Sequence, residues 1–223
     1  MKIYDLSPPL KTGMWNYGAP YIPFEMEKIA TLEKNGYIAR KLTLSTHMGS
    51  HIECEAHWKN DGIGVDQLDL NHFVGNGKVI QFSSQVEPYF EINKKRLIEA
   101  GGDKLKEGDI CILSTGWDCR IDQGNYAEKS PFITIDAASY LCEKKIKLMA
   151  ADFPMCGDPR DGLDFVPEGT PLPDTILFEK NIPIIVGLVQ TNRLPNEVFF
   201  VGSPLKIEGA DGSPVRAIAI ELG

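Results

Sequence analysis

A mixed α/β sheet in one domain is the fold that the sequence predicts, on three observations. Short apolar runs of strand length alternate with short amphipathic segments of helical period. Several neighbouring strand candidates have no helix between them, which argues against a regular doubly wound sheet. The chain has 223 residues, 43% of them hydrophobic, with no repeat, low-complexity tract or linker, so one core over residues 1–223 is expected.

Residues 1–26 are crowded with Pro, Gly and aromatics, among them Pro8, Pro9, Trp15, Tyr17, Pro20, Tyr21 and Phe24. This predicts an extended N-terminal arm with turns, lying on its own domain or on a partner subunit. Residues 38–44 place Ile38, Leu42 and Leu44 at even spacing and read as a strand. Residues 61–65 form a turn and 77–82 a strand. Residues 93–100 read as a short helix stopped by Gly101 and Gly102. The apolar run 109–114 has the length of a buried strand. Residues 134–145 are an amphipathic helix, with Thr134 as its cap and Ala137, Ala138, Leu141 and Cys142 on one face. A strand follows at 147–152, then a loop over 153–173 rich in Pro, Gly and Asp, long enough to suggest a function. Residues 174–179 make a helical turn or two, and 182–189, 197–201 and 215–222 are the last strands. Residues 209–212 form a turn before the final strand.

Composition narrows the function classes. Lys and Arg number 23 against 31 Asp and Glu, a net charge of −8 with no basic run, so nucleic acid and anionic membrane are poor partners. The first residues lack the apolar core of a signal peptide, and no run has the roughly 18 apolar residues that a span requires, so a cytoplasmic protein is expected. Five cysteines without a CxxC pair argue against a disulfide scaffold and against a thiolate zinc site. Buried free thiols are expected.

Chemistry concentrates at residues 46–58. Three of the four histidines, His47, His51 and His57, lie there with Glu53 and Glu55 among them. On an extended chain His47, His51, Glu53 and His57 share parity, so their side chains point the same way; on a helix at ~100° per residue Glu53 would face away from His51. Gly49 supplies a bend. Two imidazoles and a carboxylate, His47, His51 and Glu53, bind a divalent transition metal and leave positions open for water and substrate. His57, just beyond, is placed to move a proton. His72 has no such company and reads as structural. Cys54 has the opposite parity; a Cys54 nucleophile with His57 as its base is the thiol alternative.

The frame His47-x-Gly49-Ser50-His51-x-Glu53-x-Glu55-x-His57 resembles the signature His-x-Gly-Thr-His-x-Asp-x-Pro-x-His of the putative cyclase family of metal-dependent hydrolases. Further blocks resemble that family along the chain: Asp5 to Leu10, Gly108-Asp109 with Leu113 to Trp117, Ala151 to Pro154, Asn181 to Ile185, and Ser203 to Ala217. The resemblance implies a swivelling β/β/α fold assembled as a homodimer or homotetramer. It implies hydrolysis of a C–N bond in a small amide, formamide or cyclic imide, of the arylformamidase or isatin hydrolase kind. It implies metal ligation by His47, His51 and Glu53, proton transfer by His57, and a pocket to which Trp15 and Phe24 of the arm contribute.

Three departures bear on that reading. Glu53 stands for Asp, and its extra methylene shifts an ion by up to about 1.5 Å unless the backbone compensates. Glu55 stands for Pro. The further His and Glu of the two-metal members align with Asp174 and Val186, and valine binds no metal. Asp174 is either a ligand or the N-cap of the helix it opens. A single Mn2+ or Zn2+ ion is therefore expected. A non-catalytic binding protein of the same family is the alternative.

Overall fold

The computed structural model describes residues 1–83, 85–161, 167 and 169–222. In chain order the strands are β1 (Lys2–Asp5), β2 (Glu25–Ala30), β3 (Ala39–Thr43), β4 (His51–Glu53), β5 (Val74–Gln81), β6 (Glu91–Ile92) and β7 (Ile110–Ser114). They continue with β8 (Phe132–Ile133), β9 (Leu148–Ala151), β10 (Ile184–Val186), β11 (Glu197–Val201), β12 (Gly212–Pro214) and β13 (Ile218–Glu221). The helices are α1 (Leu32–Asn35), α2 (Lys94–Glu99), α3 (Ile135–Glu143) and α4 (Pro173–Phe178).

Nine strands form one sheet in the order β1-β13-β11-β5-β7-β9-β10-β4-β12. Its centre, β5-β7-β9-β10, is parallel, and the strands on either side are antiparallel. The mixed α/β sheet is thus the observed fold. Both faces of β7, β9 and β10 are buried, so these strands are nearly all apolar rather than alternating. Cys111, Leu113, Met149, Ala151, Ile184 and Val186 pack with Leu97 of α2, Ala138 and Leu141 of α3, and Leu177 of α4. Their sequence neighbours Ile110, Ile112, Leu148, Ala150 and Ile185 enter a second core with Ile52, Phe200 and Ala219. Ile52 comes from one side of the sheet and Ala219 from the other, so the sheet curls to bring its flanks over one face.

The helix ends follow their sequence signals. Asn93 Oδ1 accepts from Arg96 N at 3.0 Å, and Gly101 takes a left-handed φ of 104° after α2. Thr134 occupies the cap position of α3, but its hydroxyl bonds Ile92 O and Asp136 rather than the helix amides. At α4 the cap position is Leu172, not Asp174. Leucine has no acceptor, and Thr175 Oγ1 instead accepts from Leu172 N at 2.9 Å.

Residues 1–26 are tied down at the start: β1 pairs with β13 at the sheet edge, and Leu6 is fully buried. Beyond it, residues 6–24 form no helix or strand. The strand expected at 182–189 is shorter, and that at 215–222 starts at Ile218, Val215 making only an isolated bridge to Pro204. β5 begins three residues before the expected strand. Of the cysteines, Cys54, Cys111 and Cys156 are buried, Cys142 is half-buried and Cys119 is exposed, which corrects the uniform expectation of buried thiols. Part of the 153–173 loop lies outside the described residues. No helix among the described residues is long and apolar enough to cross a membrane.

Candidate active site

β4 is three residues long and central to everything that follows. It lies between β10 and β12, both antiparallel, with Val186 and Pro214 opposite His51 and with Ile184 and Gly212 opposite Glu53. Strand alternation sends His51 and Glu53 to one face and Ile52 to the curled core. All three are buried. Just upstream, Gly49 adopts a left-handed φ of 63°, turning the chain so that His47 folds back beside them.

Glu53 Oε1 is the meeting point. His51 Nε2 stands 3.1 Å from it and His47 Nδ1 3.4 Å. Donors held about 2.1 Å from one ion at tetrahedral or octahedral angles would stand about 3.0–3.4 Å apart, so these separations match one small divalent cation. His51 Nδ1 lies 3.0 Å from Gly49 O, a carbonyl that can only accept, so this nitrogen carries the proton. Burial holds His51 towards its neutral form, with its pKa lowered. Its Nε2 lone pair therefore faces a carboxylate oxygen, and two acceptors at that distance need a proton or a cation between them.

Asp211 closes the other side. Its Oδ2 accepts from His47 Nε2 at 2.7 Å and from His57 Nδ1 at 3.3 Å, and its Oδ1 accepts from Thr46 Oγ1 at 3.0 Å. Hydrogen bonds from His47 and His57 hold its carboxyl far below the usual range, against the cost of burial. Burial likewise opposes ionisation of Glu53, yet the hydrogen bond and charge of His47 outweigh it and keep that carboxyl well below its ordinary value. Burial also disfavours protonation of His47, but the hydrogen bonds to Asp211 and Glu53 outweigh it and raise its pKa to about 9. The His47 and His57 rings stack with centroids 4.1 Å apart.

Two ligand sets result, each with donor atoms within 4.8 Å of one another: His47, His51 and Glu53, and His47, His57 and Asp211. The first is fully buried and rests on β4. In the second, Asp211 is placed to orient imidazoles, as carboxylates beyond a metal's own ligands commonly do.

Other assignments move. Asp174 belongs to neither set. It is buried, and its Oδ2 accepts from Trp58 Nε1 at 2.9 Å. Burial and the charge of Glu53 push its carboxyl up to about 6. A cavity of about 670 Å³ opens over the cluster and is lined by His47, Glu53, His57, Trp58, Asp174 and by Tyr17 and Tyr21. In the single chain, Trp15 and Phe24 do not line it. Trp15 packs on Tyr17 and Tyr126, and Phe24 joins a small core with Met14 and Met48. Glu55 turns to Lys59 and to Ile63 N, away from the cluster. His72 bonds Lys147 O and Asn181, a structural arrangement. Cys54 Sγ donates to Asp211 O at 3.3 Å, and burial pushes the thiol up to about 12, which denies it the thiolate form that a nucleophile needs.

Asp211, Tyr17 and Tyr21 are the residues that sequence reasoning missed. Asp211 was legible only as part of a turn. Its one signal is a carboxylate between two glycines of a block that resembles the family's C-terminus.

Residues 4–156 match the family model described as putative cyclase. Kynurenine formamidase from Bacillus cereus is 30% identical over 215 residues, covering 96% of this chain and 95% of the relative. Among solved structures, isatin hydrolase A from Ralstonia solanacearum superposes with a TM-score of 0.86 at 22% identity, covering 99% of this chain and 92% of that one. A predicted metal-dependent hydrolase from Bacillus stearothermophilus gives a TM-score of 0.74 at 26% identity, covering 98% and 97%.

Proposed function

Because the chain belongs to the putative cyclase family, we propose that it is a metal-dependent hydrolase of a C–N bond in a small amide, formamide or cyclic imide. The observation that carries the reading is the shared Glu53 Oε1, faced by an Nε2 of His51 whose other nitrogen is committed to Gly49 O. Its glutamate occupies the place of the usual aspartate without losing the convergence.

His47, His51 and Glu53 would hold one divalent cation, Mn2+ or Zn2+. Such an ion polarises a carbonyl and makes water acidic enough to ionise near neutral pH. The chain's residues do the rest. His57 lies on the cavity wall with Nδ1 held by Asp211, and it takes the proton from the attacking water and returns it to the leaving nitrogen. Asp211 keeps His47 and His57 in register and stabilises the imidazolium that His57 becomes. The Tyr17 hydroxyl is committed to Pro154 O, so that ring supplies an apolar wall. The cavity volume suits a molecule of one or two rings. The alternative family reading, a binding protein without turnover, rests on the substituted signature positions alone.

Chain purified without chelator is expected to carry about one transition-metal ion and to hydrolyse formanilides or isatin. Dialysis against chelator should abolish turnover, and added Mn2+ or Zn2+ should restore it. A metal-loaded protein inert on both compound classes would favour the binding reading. We also propose that the chain assembles as a homodimer or homotetramer. The exposed apolar residues Met26, Ile29 and Leu42 of the β2–β3 hairpin support this.

A further inference from the structure

We propose that Asp174 is a substrate-binding residue whose free carboxylate oxygen selects ligands bearing a nitrogen donor, a protonated amine above all. The inference rests on the hydrolase reading only for the identity of the cavity as the substrate site. Asp174 is 7% exposed, and its two oxygens are not equivalent. Oδ2 is committed to the indole N–H of Trp58, while Oδ1 is buried with no hydrogen-bond partner. A carboxylate oxygen withdrawn from water and left unpaired is costly unless something else satisfies it. Here it belongs to a residue on the wall of the cavity that also holds Glu53 and His57.

The surroundings set the sign of what can bind. Besides the histidines, the charged residues among the cavity's described walls are Glu53, Asp136, Asp158, Asp161 and Asp174, all acids. Arg160, which lies between Asp158 and Asp161 in sequence, is paired with Asp158. Asp174 combines burial with an oxygen that has no hydrogen-bond partner. An ammonium or amino N–H placed there gains a charge-assisted bond, whereas a carboxylate against Asp174 would meet its like charge. The rigid Trp58 bond fixes the plane of the acceptor, so the preference has a direction as well as a sign.

The test uses the metal-loaded protein and neutral amides, so that no probe carboxylate can reach the ion. Ortho, meta and para aminomethyl benzamides are each compared with the matching methyl benzamide by calorimetry. At least one aminomethyl isomer is expected to bind about 10- to 100-fold more tightly than its methyl counterpart. Asp174→Asn keeps an oxygen for Trp58 and replaces Oδ1 with an N–H2 donor; the ratio should then fall to about one, with metal content unchanged. Wild-type protein that binds both members of every pair equally, or binds none of them, overturns the proposal. So does an unchanged ratio in the variant, or loss of a metal equivalent from it, which would make Asp174 an ion ligand. Because binding is measured without turnover, a protein that shows the preference yet hydrolyses no formanilide leaves this inference standing and removes the hydrolase reading instead.

Discussion

His57→Ala is expected to lower kcat by about 10²- to 10⁴-fold while leaving the bound metal in place. The separation follows from position. His57 sits in the turn beyond β4, half-exposed at the cavity, and touches the cluster through Asp211 Oδ2 and by stacking on His47. Its removal leaves His47, His51 and Glu53 in their mutual contacts. His51→Ala should behave otherwise. It takes away the Nε2 that faces Glu53 Oε1, and it opens a hole in a fully buried position, so metal and turnover should be lost together. Elemental analysis and initial rates on one set of preparations distinguish the two. A His57→Ala protein turning over at the parent rate would remove His57 from the reaction.

Asp152→Ala is expected to cost about 3–5 kcal/mol of stability, the largest loss among single polar truncations outside the site. Asp152 is fully buried at the end of β9. Its Oδ2 accepts from Thr115 N and Gly116 N, both at 2.8 Å, and from Thr191 Oγ1 at 2.7 Å, while Oδ1 accepts from Thr115 Oγ1 at 2.5 Å. Alanine strands the two amides and the Thr115 hydroxyl at once, while the Thr191 hydroxyl keeps Ser114 Oγ as an acceptor at 2.9 Å, in the interior where the turns after β7 and β10 meet. For a domain of this size the loss corresponds to a fall in Tm of roughly 6–20 °C. Urea titration should show the midpoint shifting with little change in slope. A midpoint within about 1 kcal/mol of the parent would mean that the network is dispensable.

What could be read in advance divides along physical lines. β7 and β9 were legible because both faces are buried and a run of apolar residues suffices. Helix α2 announced itself through Asn93 and Gly101. The parity of His51 and Glu53 anticipated their common face. The short strands β4 and β12 were not legible as such, because three residues are too few for any period to emerge, whereas β10 lies within the apolar run 182–189 read as a strand. β5 was truncated in the reading because Gly75 and Gly77 interrupt its pattern. Asp211 escaped because its place beside His47 depends on β12 pairing with a strand some 160 residues earlier, and nothing local encodes that. Tyr17 and Tyr21 escape because they lie in an arm with no regular repeat, where side-chain direction cannot be inferred from spacing. The cap reading of Asp174 failed because Thr175, one residue on, satisfies the helix start from inside.

The tight contact behind His51 has a consequence for tolerance to change. Gly187 follows β10 with a φ of 70°, and a Cβ there would lie 2.7 Å from Gly49 O. That carbonyl is the one that fixes the proton on His51. Two glycines from distant parts of the chain thus touch back to back, and one of them supplies the acceptor that decides which imidazole nitrogen is bare. Neither has a side chain to offer to catalysis, and neither faces the cavity. Yet adding a single methyl group at Gly187 would press on the Gly49 carbonyl and, through it, on the hydrogen bond that sets the tautomer of His51. The chemistry of this site is therefore exposed to substitution from behind the sheet, at a position that inspection of the pocket alone would pass over.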